Sequence, residues 1–279
     1  MEERKSFKEL KRNLKKDASN MPSLKVSLVG DTATQFLAMA IRGEGFERGY
    51  NVELFEAEYN QVERQVLDPT SDLYAFSAQY TVIFQSTHKL LEKYSLLPSG
   101  DWGSLAEERL AFVRTLCESV PGKIIYYNYP EIGDGVFGSY EDKVPSSFIY
   151  QVRKLNLGLM DLAQEYRNLF ICDLSELQAK YGRDYFFDSS VYVSTEMIFS
   201  IDALPLVASR TLDIVCAIEG KFRKCLILDL DNTVWGGVVG DDGWEGIQVG
   251  HGLGIGKAFT EFQEWVKKLK NRGIIVCVC

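Results

Sequence analysis

Five short apolar runs, spaced by longer amphipathic stretches, limit what this chain can fold into more than any other feature. They are LKVSLVG (24–30), NVELFEA (51–57), YTVIFQST (80–87), KIIYYNY (123–129) and LFICDL (169–174). None alternates cleanly between apolar and polar residues, so neither face of such a strand is meant for water. Helical segments are predicted between and after them, around 33–42, 104–119, 145–167 and 194–219. Strands buried on both faces and separated by helices imply a parallel sheet with helices above and below. Residues 21–220 are therefore expected to form a doubly wound α/β domain.

The ends of the chain read differently. MEERKSFKELKRNLKKDASN (1–20) is densely charged, with Phe7, Leu10 and Leu14 at near-helical spacing. A solvated helix that docks one narrow stripe on the body is expected there, in preference to a membrane-surface or partner-binding helix. Residues 221–279 begin a second unit, with a strand over 224–231, a glycine-rich excursion over 236–256, a helix over 257–271 and a strand over 274–279. Phe259, Phe262, Val266 and Leu269 share one face of that helix, and Gly273 is placed to close it. The order gives a right-handed β-α-β crossover. Two strands and one helix do not close a core, so this unit is expected to be the truncated start of a larger domain.

Composition excludes several classes. With 279 residues and a formal net charge of −8, the chain has the length of two domains and lacks a basic footprint. Nucleic acid and anionic membrane surfaces are accordingly not expected partners. No stretch approaches the ~18 apolar residues of a membrane span, and the N-terminus has no apolar leader. The six cysteines form no C-x-x-C pair and mostly sit inside apolar runs, as expected for reduced thiols in a cytoplasmic protein.

The chemistry is concentrated in KCLILDLDNTVWGGVVGDDGWEGIQVG (224–250). An apolar strand runs straight into Asp229 and Asp231, whose i, i+2 spacing aims both carboxylates toward the crevice beyond the strand's carboxyl end. One such carboxylate can attack phosphorus while the other exchanges a proton with the leaving oxygen. A hard divalent cation such as Mg²⁺ would offset the repulsion among two carboxylates and a phosphate. Thr233 offers a hydroxyl and an amide to a phosphate oxygen. Other motifs fail: a calcium loop starting at Asp229 would have Val234 and Gly240 where glycine and glutamate are required. HGLGIGKA (251–258) lacks the first glycine and the final Ser/Thr of a phosphate-binding loop.

Leu226-Ile227-Leu228-Asp229-Leu230-Asp231-Asn232-Thr233 resembles the first motif of the haloacid dehalogenase (HAD) superfamily of phosphotransferases. The longer DLDNTVWGGVVGDDG and FTEFQEWVKKLKNRGIIVCVC are similar to its FkbH-like branch. That branch joins an N-terminal domain related to SGNH hydrolases to a C-terminal Rossmann-like HAD domain. The resemblance implies Asp229 as nucleophile and Asp231 as general acid and base, both next to Mg²⁺, with Asn232 and Thr233 at the phosphate. It implies a flap over 234–244 in which Trp235, Gly236, Gly237 and Trp244 can meet substrate. It further implies a phosphatase or phosphotransferase acting on a small phosphorylated metabolite. The alternatives are glyceryl transfer from a phosphorylated three-carbon donor to an acyl carrier protein, and a non-catalytic scaffold. The family's later serine, lysine and acidic metal motifs find no match before Cys279, so the chain alone is expected to be inactive.

The same resemblance puts the N-terminal domain beside esterases that use Gly-Asp-Ser and a late Asp-x-x-His. Here the residues are Gly30-Asp31-Thr32, and the best late candidate, from Asp188, ends in Val191. Without an imidazole to take its proton, Thr32 is a poor nucleophile. A non-hydrolytic binding domain is expected, with Asp31, Thr32, Thr34, Gln35, His88 and Asn128 lining a pocket at the strand ends.

Overall fold

The computed structural model describes residues 5–279, so the first four residues of the charged N-terminal segment lie outside the described residues. The chain divides after Val215 into two units. In the first, five strands form one sheet: β1 (Ser23–Gly30), β2 (Asn51–Glu56), β3 (Tyr80–Phe84), β4 (Lys123–Tyr127) and β5 (Leu169–Cys172). Their order is β2-β1-β3-β4-β5 and every pair is parallel. This is the flavodoxin-like doubly wound order, whose direction of winding reverses between β1 and β3.

The helices of this unit are α1 (Phe7–Asn13), α2 (Gln35–Glu47), α3 (Val62–Leu67), α4 (Asp72–Phe76), α5 (Thr87–Leu96), α6 (Leu105–Ser119), α7 (Phe148–Glu165), α8 (Leu174–Tyr181), α9 (Arg183–Phe186), α10 (Ser189–Thr195) and all but the last three residues of α11 (Leu204–Ile218). Successive strand residues face opposite sides of a sheet, and β4 shows the consequence. Tyr126 enters the core built with α3 to α7, among Leu90, Val113 and Leu155. Tyr127 faces the other way and its hydroxyl meets that of Thr211 on α11. Ile124 to Tyr127 and Val82 and Ile83 are wholly buried, which is why these strands show no polar alternation.

On that second face α2 and α11 are tied by Arg48, which bonds Ser209 (3.0 Å) and pairs with Asp213 (2.8 Å). Helix α1 lies on α2 as a narrow stripe. Ser6 and Glu9 form a reciprocal cap, Phe7 stacks on Phe36 at 5.3 Å, and Leu10 is fully buried. Leu14 is only half-buried and caps the helix end. The two helices cross at Gly43, where a Cβ would come within 2.4 Å of the Leu10 carbonyl oxygen. Asn13 completes the contact, donating to Gly43 O (3.1 Å) and Glu47 (2.6 Å).

The second unit, Cys216–Cys279, holds a two-stranded parallel sheet of β6 (Cys225–Leu228) and β7 (Ile275–Val278), with α12 (Val239–Gly246) and α13 (Ile255–Asn271). Gly273 follows α13 at φ +93°, a left-handed closure that favours glycine. Large apolar residues of this unit are open to solvent: Ile227, Trp265, Ile275 and Val278 are each about half or more exposed.

The structure adds helices α3, α4, α5, α8, α9 and α12, which the sequence reading does not expect, and it departs from that reading in segment limits. The helix expected over 194–219 is two helices, because Glu196 adopts a left-handed conformation that ends α10 and the chain turns at Ser200 before α11. The strands expected over 80–87, 169–174 and 224–231 stop early, where polar side chains take up the amides of the next segment. Ser86 accepts from Lys89 N at the start of α5, and Asp173 accepts from Glu176 N at the start of α8. Among the described residues no helix is long and apolar enough to cross a membrane, and all six cysteines are free thiols.

Gly43→Val is expected to lower the unfolding free energy by about 1–3 kcal/mol, as overpacking does, with proteolysis opening first between α1 and β1. Urea denaturation and limited proteolysis check this; an unchanged midpoint would contradict the close crossing.

Candidate active site

Strand β6 ends at Leu228, and the backbone then turns tightly around a loop built from its own side chains. Asn232 sits at φ +53°, accepts from Gly237 N through its side chain (2.9 Å), and donates its amide to Gly237 O (3.2 Å). Asp231 Oδ1 accepts from Trp235 Nε1 (3.0 Å) and from Val239 N (3.1 Å). Asp229 is exposed, and its Oδ1 accepts from the next amide, Leu230 N, at 2.8 Å. Two carboxylates thus stand at the strand end with different constraints: 231 is fixed from two sides, while 229 faces outward.

The flap is anchored rather than loose at its base. Gly236 and Gln248 exchange both backbone hydrogen bonds (3.0 and 2.7 Å), and Gln263 on α13 donates to Val234 O (2.9 Å). Gly236 has no room for a Cβ, which would meet Phe259 at 2.7 Å, and Gly237 needs φ +97°. Both glycines are therefore required by the backbone of the flap. Trp235 is half-buried and tied to Asp231, whereas Trp244 is 78% exposed. Thr233 is half-buried, and its amide already donates to Leu230 O (3.3 Å), which leaves the hydroxyl as its group for a phosphate.

The donor chemistry fits Mg²⁺, which is ordinarily held by one or two carboxylates together with water and substrate phosphate oxygens. Asp229 keeps one carboxylate oxygen outside the hydrogen bonds just described, and Asp231 would be a ligand through its backbone carbonyl, which leaves its free carboxylate oxygen to carry a proton. Among the described residues no cluster of three or more His, Cys, Asp or Glu side chains is placed to hold a metal. Two protein ligands are what this strand end offers.

In the first unit the residues expected to share one pocket are separated. Asp31 follows β1 at the reversal point, and both of its carboxylate oxygens face Ser86 N (2.9 and 3.0 Å). It opens into a cavity of about 410 Å³ with Gln85, Glu63 and Lys93. Burial pushes its carboxyl up to about 7, against the Ser86 hydrogen bonds and the nearby Lys93 and Arg109 charges. Thr32 is not in that cavity: it is fully buried, its hydroxyl without a hydrogen-bond partner, so it is no nucleophile. Thr34 is buried and donates to Glu56 (2.6 Å); Gln35 is exposed at the start of α2.

His88 and Asn128 go elsewhere. His88 stacks on Phe187 at 4.4 Å beside a hollow of about 30 Å³, and burial and then Arg183 depress its pKa to about 4, so it stays neutral. Asn128 caps α8 by accepting from Leu174 N (2.7 Å) and Ser175 N (3.1 Å), on the wall of a separate groove. Strand-end position alone cannot tell these apart, because a doubly wound sheet has a crevice only where its winding reverses. The cations around Asp31 (Lys89, Lys93 and Arg109) were missed by the sequence reading. Their available signal was the i, i+4 spacing of the two lysines, outside the helical segments expected from the sequence.

A doubly wound domain followed by a strand that ends in paired carboxylates defines a two-part α/β protein. The chain belongs to the family described as FkbH, N-terminal domain, which matches residues 25–216. It is similar to the N-terminal part of protein BF1531 from Bacteroides fragilis, which contains a phosphatase domain and was crystallised with Mg. That likeness has 68% identity, covers 99% of this chain and 73% of that one, and has a TM-score of 0.95. An acetyl xylan esterase, AlAXEase, is 17% identical over 69% of this chain and all of its own, with a TM-score of 0.48. Among curated proteins none matches.

The raised Asp31 sets a pH dependence. Between about pH 4 and 7 the unfolded chain has lost this proton and the folded chain still holds it, so stability falls as pH rises. The slope contribution is at most about 1.4 kcal/mol per pH unit and vanishes above about pH 7. Asp31→Asn is expected to flatten this part of the profile in denaturant titrations. A slope identical to that of the parent would contradict it.

Proposed function

We propose that the second unit carries the nucleophile and the acid/base group of a Mg²⁺-dependent phosphatase or phosphotransferase acting on a small phosphorylated metabolite. The observation that carries this reading is the unequal treatment of two carboxylates at one strand end, with Asp231 clamped and Asp229 presented. The solved relative with a phosphatase domain and bound Mg supports it, as do the residues 226–233 as a motif. The six free thiols are consistent with a reducing, cytoplasmic setting.

On this reading an oxygen of Asp229 attacks phosphorus in line with the ester oxygen. The phosphorus–ester bond breaks as Asp231 delivers its proton to the departing alkoxide, leaving phosphate covalently on Asp229. Asp231, now ionised, takes a proton from the water or acceptor alcohol that attacks the same phosphorus. Breaking the acyl-phosphate bond returns Asp229 and releases phosphate or the new ester. The Trp235 and Val239 donors hold Asp231 to one carboxylate orientation, so its second oxygen faces the ester oxygen. When bound, Mg²⁺ would supply charge neutralisation and alignment of the phosphate between Asp229 and Asp231. The Thr233 hydroxyl would donate to a phosphate oxygen, and Trp244 would close over the substrate.

In the intact protein, Asp229→Asn is expected to abolish turnover of an aryl phosphate, and unchanged turnover would remove the reading. Trp235→Phe keeps an aromatic side chain, though a smaller one, and loses the indole hydrogen bond to the Asp231 carboxylate. It is expected to lower kcat by about tenfold or more with little change in KM, since such bonds contribute ~1.5–3 kcal/mol. Steady-state kinetics check this; a rise in KM alone would assign Trp235 to substrate binding instead.

A further inference from the structure

The cavity at the reversal point between β1 and β3 has no part in the chemistry above, and its charges are not balanced within it. Arg109, on α6, has a side chain only 11% exposed. Its guanidinium carries five donors and is always charged. Among the described residues it meets one hydrogen-bond acceptor, Gln85 Oε1 at 3.3 Å, and one carboxylate, Glu63 at the long distance of 3.9 Å. A shielded cation with so few acceptors is costly unless something else takes its remaining donors.

The surroundings are built to hold it in place. Gln85, 5% exposed, also accepts from the Tyr126 hydroxyl (2.8 Å), which shares a 2.6 Å hydrogen bond with the Tyr129 hydroxyl. Both tyrosines are fully buried, so the Gln85 oxygen is fixed as an acceptor and the Arg109 plane with it. Two more cations converge from one face of α5: Lys89, paired with Glu92 at 3.1 Å, and Lys93, paired with Glu63 at 3.3 Å. Glu63 is thus shared between Lys93 and Arg109. Asp31 closes the inner end, beside a cleft lined by Gln85, Lys89, Lys93, Arg109 and Tyr129.

We propose that this cavity is a binding site for a small metabolite bearing a carboxylate or phosphate, with Arg109 and Lys93 gripping the oxyanion and Asp31 facing a hydroxyl of the same molecule. A fork of guanidinium donors suits either oxyanion; Arg109 lines the narrow cleft of about 10 Å³ beside Asp31 and Lys93, and Asp31 and Lys93 also line the cavity of about 410 Å³, which has room for the rest of a small metabolite. The site is separate from Asp229 and does not depend on how that residue acts.

The test is isothermal calorimetry on the intact protein carrying Asp229→Asn, without Mg²⁺ and with EDTA, so that the other carboxylate pair contributes nothing. Inorganic phosphate and malate are titrated separately. Saturable binding of either is expected, phosphate alone marking a phosphate site and malate alone a carboxylate site. Arg109→Gln is expected to weaken the bound ligand at least tenfold, and Lys93→Gln, whose side chain is 52% exposed and not needed for folding, about threefold. No saturable heat with either ligand overturns the proposal. So does parent-like affinity in Arg109→Gln or, should that variant fail to fold, in Lys93→Gln.

Discussion

Everything of chemical interest in this protein lies where a parallel strand stops. A buried parallel strand has its backbone groups paired along its length and then delivers the chain, at its carboxyl end, to a loop that must satisfy its own amides and carbonyls. Side chains do that work here. Ser86, Asn128 and Asp173 take up the amides that open α5 and α8, and Asp231 takes up Val239 N at the flap. The same demand accounts for strands shorter than their apolar runs suggest.

From this constraint come two sites of opposite character. At the end of β6 negative charge is concentrated, and one of its two carboxylates is immobilised by an indole and a backbone amide. At the reversal between β1 and β3 positive charge is concentrated around a single shielded carboxyl. One arrangement invites a cation and a phosphoryl group, and the other invites an anion.

The architecture was legible in the sequence because buried parallel strands announce themselves as runs of Val, Ile, Leu and Tyr without alternation. The carboxylate pair was legible because nothing in packing asks for two aspartates directly after such a run. Less could be read where tertiary choices decide. Thr32 and His88 carry functional side chains, but the first is sealed in the core and the second is stacked against Phe187. Arg109 lies on the amphipathic helix α6, and only the fold brings it to face Asp31 across the sheet end. Gly236 and Gly237, adjacent to the motif, turn out to serve the flap's close approach to Phe259 and its backbone turn.

The central claim is that Asp229 forms a covalent bond to phosphorus. Hydride trapping tests it directly: an acyl phosphate is reduced by borohydride, whereas a free carboxylate is not. Protein quenched during turnover and mapped by mass spectrometry is expected to carry homoserine at position 229 and unaltered aspartate at 231. An unmodified residue at 229 under active turnover, or reduction at another carboxylate, would contradict the account.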